Sequence, residues 1–161
     1  MLDFFSQDTK NFLQQLVQQK PLFEELTLDE LSKLVGHANK RDFRAGECVL
    51  RESELGDSMF IVWSGRVSVI KGTAGGSEVE VAYLGPYEIF GEMAIVENLV
   101  RSASVRADTD CSVLEINRQN LAQMPVEGRE KLYRNLARIL SARLRETNVF
   151  LSLTLEEQQD A

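Results

Sequence analysis

The 161-residue sequence predicts a mainly β, α+β fold: an antiparallel roll or barrel, with helices before it and one long helix after it. Three observations carry this. Short apolar runs with a period of two recur from position 40 to position 116. Gly46, Gly56, Gly65, Gly75-Gly76 and Gly85-Pro86 punctuate those runs at even intervals. On either side the apolar spacing changes to the helical period.

The first helix is expected over 8–19, with Phe12, Leu13, Leu16 and Val17 on one face and Pro21 closing it. Thr27 then caps a second helix, and Glu30 three residues later completes a capping box. That helix is expected to bury Leu28, Leu31, Leu34 and Val35. Residues 41–43, 48–50, 59–63, 67–70, 79–84, 103–107 and 111–116 read as short strands. From Pro125 the pattern is helical again, with an apolar stripe of Leu132, Leu136, Ile139, Leu140 and Leu144. Arg129, Lys131, Arg134, Arg138, Arg143 and Arg145 flank it. A solvated basic face over a buried stripe is favoured over a surface for nucleic acid or an acidic membrane. Residues 151–161 are expected to fray. The chain thus divides into an N-terminal helix (1–21), a β-roll (22–124) and a long helix with its tail (125–161).

An apolar fraction of 43% and a charged fraction of 27% fit a globular protein. The net charge of -7 opposes a general nucleic-acid surface, so no direct nucleic-acid partner is expected. No apolar run approaches the roughly 20 residues that span a bilayer, and the opening Met1-Leu2-Asp3-Phe4-Phe5-Ser6 lacks the form of a signal peptide. Cys48 and Cys111 lie in separate strand-like runs, as free thiols of a cytoplasmic protein would. His37, the sole histidine, sits in a helix-to-strand connection. No nucleophile–base pair or metal-ligand cluster is visible, so neither an enzyme nor a metal or cofactor is expected.

The segment from Phe90 to Val105 carries the functional signal. Gly91 permits close approach of the backbone to a ligand. The amides after it suit an anion if they open a helix. Arg101 adds a planar fork of donors matched to the paired oxygens of a phosphate. Glu92 cannot favour a phosphate, and its expected role is to accept a hydrogen bond from a sugar hydroxyl. A phosphate beside a ribose hydroxyl describes a nucleotide, and a cyclic one suits so small a cradle.

Phe90-Gly91-Glu92-Met93-Ala94 and Arg101-Ser102-Ala103-Ser104-Val105 resemble the phosphate-binding cassette of the cyclic-nucleotide-binding domain family. Val100 stands where proline is usual, and Asn98, which tolerates left-handed backbone, where glycine is common. Phe43-Arg44-Ala45-Gly46-Glu47, Leu55-Gly56-Asp57-Ser58 and Trp63-Ser64-Gly65-Arg66-Val67 match the family's landmark glycines. Ser53 replaces a further one. The resemblance covers about residues 22–150 and implies an eight-stranded double-stranded β-helix, a jelly roll.

It also implies the ligand set. Gly91, Met93 and Ala94 belong to the cassette; Arg101 and the amides of Ala94, Ser102 and Ala103 would hold the phosphate. Glu92 would take the ribose 2′-hydroxyl, and Val69 and Val81 would line the pocket wall. Thr147 and Asn148, in Arg143-Leu144-Arg145-Glu146-Thr147-Asn148, would read the adenine edge. Cyclic AMP is favoured, but Ser102 also suits a guanine contact, so cyclic GMP, or cyclic di-GMP, stays open. The long helix would serve as lid and as the seam of a homodimer. In transcription regulators of this family a DNA-binding domain follows that helix, whereas here the chain stops soon after it. The expectation is a sensor that signals by conformational change to a separate effector protein; a fragment of a larger transcription regulator is the alternative.

Overall fold

In the computed structural model, which describes residues 3 and 6–159, two helices precede the strands. The first, α1 (Gln7–Gln19), starts at Ser6, whose hydroxyl accepts the Thr9 N–H. Its Phe12, Leu13 and Leu16 are buried. After a 3-10 turn at Pro21–Phe23, the reciprocal capping box of Thr27 and Glu30 opens α2 (Leu28–Val35). Leu31, Leu34 and Val35 enter the core as expected, but Leu28 is 44% exposed. Leu28 lies off the edge of that stripe, and Glu30 takes the sheltered place instead, where Lys131 meets it at 3.0 Å.

Ten strand segments follow: β1 (Asn39–Phe43), β2 (Cys48–Leu50), β3 (Leu55–Gly56), β4 (Ser58–Ser64), β5 (Val67–Gly72), β6 (Glu78–Leu84), β7 (Ile89–Phe90), β8 (Leu99–Val100), β9 (Ser104–Ala107) and β10 (Cys111–Asn117). They form an antiparallel jelly roll. Its two four-stranded sheets run β1-β10-β4-β7 and β2-β9-β5-β6, and β3 pairs with β8 as a short separate ladder. Strand β4 is apolar on both faces because both are covered. Phe60 and Val62 pack inside the roll with Val67, Phe90, Val105 and Val113, while Met59 and Ile61 pack against the helices.

Among the described residues three non-glycine residues have left-handed backbone, Glu25, Ser53 and Tyr87. Tyr87 has φ 71°, in a turn closed by the Glu88 N–H to Gly85 carbonyl bond of 3.1 Å. A left-handed bulky residue costs on the order of 1–3 kcal/mol. Its ring lies 5.0 Å from Phe12, which in turn lies 4.2 Å from Trp63, so aromatic packing holds α1 on the roll. Ser53 has φ 73°, the conformation in which glycine would be unstrained. Asn98 does not use its tolerance, since Glu25, Ser53 and Tyr87 are the left-handed non-glycine residues among those described.

A short helix, α3 (Arg118–Ala122), is set by reciprocal bonds between Asn117 and Asn120. The last helix, α4 (Val126–Gln159), is 34 residues long. Leu132 and Leu136 are buried in the core shared with α1 and α2, with Ile139 and Leu140 packed against it. Asn135 Nδ2 donates to the carbonyls of Leu22 and Glu24 at 3.2 and 2.7 Å. Leu144 departs from the expected buried stripe: it is 62% exposed, because the core contacts of the stripe end at Leu140. The tail, expected to fray, is helical over the described residues. Helix continues to Gln159, with Ser152 and Thr154 hydroxyls bonded to the Asn148 and Phe150 carbonyls; residues 160–161 lie outside the described residues.

Three of the six cations in the basic flank of α4 are paired within the chain. Lys131, Arg134 and Arg143 pair with Glu30, Glu25 and Glu92. No helix among the described residues is long and apolar enough to cross a membrane. Cys111 is buried, Cys48 is half-buried, and both are free thiols.

Leu136→Ala should lower the unfolding free energy by about 2–5 kcal/mol in denaturant titration, the usual loss for a truncated core leucine. A loss near zero would contradict the docking of α4 on the roll.

Candidate functional site

The cassette begins where β7 ends. Gly91 adopts φ 72° and ψ 18°. A Cβ at this position would lie 2.7 Å from Arg101 Nη1 and 3.2 Å from the Ser58 carbonyl oxygen. Backbone conformation and crowding therefore both call for glycine. The chain then makes a 3-10 turn, Glu92–Ile95, pinned by buried Ala94 and Ile95. This turn is only four residues long, so the helix dipole expected from the sequence contributes little. The positive charge for an anion must come from side chains.

Arg101 supplies it. Its backbone is clamped on both sides, with its N–H donating to the Glu54 carbonyl at 2.8 Å and its carbonyl accepting the Ser53 N–H at 2.9 Å. The side chain turns back over the roll, where Nη2 donates to the Ser58 carbonyl at 2.7 Å and the guanidinium lies 5.8 Å from the Phe60 ring. Gly56 makes room for it, since a Cβ there would stand 2.2 Å from Arg101 Nε. Burial pulls the Arg101 pKa below its ordinary value, and the charges of Asp57 and Glu115 oppose that shift. Arginine keeps its proton in either case. Among the described residues Arg101 forms no direct salt bridge, so this half-buried cation has donors left for an incoming anion.

Glu92 lies on the same cavity. Its side chain is 13% exposed, and its Oε1 accepts from Arg143 Nη1 of α4 at 2.5 Å. Gly91, Glu92, Met93, Ala94, Arg101 and Ser102 line an open cavity of about 310 Å³, together with Val100 and Arg143. Among the described residues neither Ser102 nor Ala103 gives its N–H to an acceptor in the chain. Of the three expected backbone donors two are thus left free, in the manner of an anion-binding concavity, whereas the Ala94 N–H is taken by the Gly91 carbonyl at 3.1 Å as the 3-10 turn closes.

The structure does not draw every expected residue to this cavity. Ala103 is the next residue along from the lining and is half-buried. Val69 packs against the core inside the roll. Val81 is 58% exposed on the edge strand β6, where the β5–β6 register slip also leaves it without an opposing residue. Thr147 and Asn148 are exposed on α4, with the Thr147 hydroxyl bonded to the Arg143 carbonyl at 2.9 Å. Conversely, Arg143 was not among the sequence-derived site residues. Its signal was present, in the basic flank one helical turn before Thr147, but six cations share that flank and their spacing does not single it out.

Residues 40–126 match the family model of the Cyclic nucleotide-binding domain. The chain belongs to this family. The matched span runs from β1 to the start of α4 and contains the whole cassette. The chain is similar to the Cyclic AMP receptor protein of Thermus thermophilus, 32% identical over 138 residues, covering 86% of this chain and 63% of that protein. It is also similar to Glutaminase 2 of Bradyrhizobium diazoefficiens, 38% identical over 138 residues, covering 84% of this chain and 21% of that protein. Among solved structures, the Catabolite Activator Protein of Thermus thermophilus superposes with a TM-score of 0.73 at 34% identity, covering 83% of this chain and 62% of that one. The chain therefore spans less than two thirds of each of these relatives. Among the described residues no group of His, Cys, Asp or Glu could hold a metal ion.

Gly56→Ala should keep a melting midpoint close to the parent's, because the atoms that must give way belong to the end of a flexible side chain. A crystal structure of that variant should show the Arg101 guanidinium displaced from the Ser58 carbonyl; an unmoved guanidinium would contradict the crowding described here.

Proposed function

We propose that this chain binds a 3′,5′-cyclic nucleotide, cyclic AMP in preference to cyclic GMP, in the cavity between the cassette and α4. It passes the ligand's presence to a partner protein through a change in the position of α4. The observation that carries this is the meeting of Arg101 and Glu92 on one cavity, beside the free N–H groups of Ser102 and Ala103.

A phosphodiester leaving water needs an opposite charge and several donors to offset its desolvation. Arg101 and the two amides offer both. Glu92 accepts the ribose 2′-hydroxyl, which is free in 3′,5′-cyclic nucleotides. Because Glu92 also holds Arg143, the ribose and α4 meet at one carboxylate. A ligand that changes the balance at that carboxylate favours one placement of α4 over another, and the shift is limited by its differential affinity for the two. No catalytic step is part of this role, since Glu92 is engaged by Arg143 and Arg101 has no proton to give at neutral pH.

The choice of cyclic AMP draws on the name of the Thermus thermophilus relative and on Thr147, one turn from Arg143 on α4. Ser102 suits a guanine contact as well, which keeps cyclic GMP as the second reading. Leu144 and Leu151 are 62% and 51% exposed at heptad spacing, and a twin α4 would cover them in a homodimer. Free Cys48 and Cys111 suit a reducing cytoplasm.

Arg101→Ala should weaken cyclic AMP binding by about 2–5 kcal/mol in calorimetry, the usual loss when one partner of a buried charge pair is removed, with an unchanged circular dichroism spectrum. Unchanged affinity would overturn the assignment.

A further inference from the structure

The loop after Arg101 is held by two residues that do not line the cavity, Glu52 and Lys71. Glu52, just past β2, donates its N–H to Ser104 Oγ at 2.9 Å. One of its carboxylate oxygens accepts the Gly72 N–H at 2.8 Å, and the other lies 3.5 Å from Lys71 Nζ. The Gly72 amide, with the Lys71 charge, holds the Glu52 carboxyl below the usual carboxylate range against the effect of desolvation. Lys71, near the end of β5, in turn donates to the Ser102 carbonyl. Neither Lys71 nor Glu52 lines the cavity, whereas Ser102 does.

This fixes a direction. In a trans peptide the C=O of one residue and the N–H of the next point opposite ways. With the Ser102 carbonyl drawn to Lys71, the Ala103 N–H points the opposite way, away from Lys71. That N–H has no acceptor among the described residues. An ammonium on the carbonyl end of the same peptide also polarises the N–H, which makes it a stronger donor.

We infer that Lys71 is a positioning residue of the cradle, an assignment that rests on the cyclic-nucleotide site proposed above. It orients the 102–103 peptide so that the Ala103 N–H donates to one of the two exocyclic oxygens of a bound cyclic phosphodiester. Glu52 keeps the lysine in place. Lys71 is 51% exposed, so its effect has the size of one hydrogen bond rather than of a buried ion pair. The effect is also directional. The two exocyclic oxygens are stereochemically distinct, and sulfur in place of the one that meets Ala103 is a poor acceptor.

The test uses the full chain and its Lys71→Met and Lys71→Arg variants. Each is titrated with cyclic AMP and with the Rp and Sp diastereomers of its phosphorothioate. Lys71→Met should bind cyclic AMP about 5- to 10-fold more weakly, the equivalent of one ordinary hydrogen bond. Its Rp-to-Sp affinity ratio should move toward unity by a similar factor, at an unchanged melting midpoint. Lys71→Arg should restore both values. If Lys71→Met matches the parent, or weakens all three ligands equally with the ratio intact, positioning by Lys71 is wrong while the cyclic-nucleotide site stands. If the parent itself binds none of them, the site assignment fails, and the role of Lys71 with it.

Discussion

The seating of one arginine governs the arrangement around the cassette. Arg101 is half-buried, and a guanidinium taken partly out of water needs acceptors to hold it. The fold answers with main chain rather than with a carboxylate. The Ser58 carbonyl takes one donor, the β3–β8 ladder and its neighbours clamp the residue's own N–H and C=O, and Gly56 and Gly91 leave space where a methyl group would collide. Neutral acceptors position the cation without cancelling its charge. Asp57 and Glu115 favour the charged form from a distance and leave it open to an anion.

The second constraint is that the cassette and α4 share Glu92. The lower part of α4 is fixed, since Leu132 and Leu136 lie in the main core and Asn135 ties the helix to the chain before α2. Beyond Leu140 the contacts thin to polar ones, and the Glu92–Arg143 pair stands at that border. Past it the helix continues to Gln159 with Leu144, Phe150, Leu151 and Leu155 exposed. A change at Glu92 therefore acts on the helix where core packing no longer determines its course.

Much of this was legible in the sequence because the relevant signals are local. The Thr27–Glu30 capping box, the glycines that punctuate the roll and the Phe90–Val105 segment each depend on neighbours within a few residues. What was not legible depends on distance. The ladders β3–β8 and β4–β7 pair only two residues each, too few to show a period, yet the first of them ends at the Ser53 and Glu54 bonds that clamp Arg101. The apolar stripe of α4 has a clear spacing, but nothing in that spacing says that core contact ends before Leu144. Leu28 stays outside at one edge of the α2 stripe, while Glu30 at the other edge is sheltered by a lysine 101 residues away, a partner that no local spacing announces. Arg143 finds Glu92 across 51 positions, and no local pattern marks one arginine in a basic flank for that contact.

The most direct test of a cyclic-nucleotide site at Arg101 and Glu92 is a side-by-side calorimetric titration of the unaltered protein with cyclic AMP, cyclic GMP and cyclic di-GMP. The account predicts saturable binding of cyclic AMP at one site per chain, weaker binding of cyclic GMP and none of cyclic di-GMP. Absence of heat and of any thermal shift with all three would contradict it.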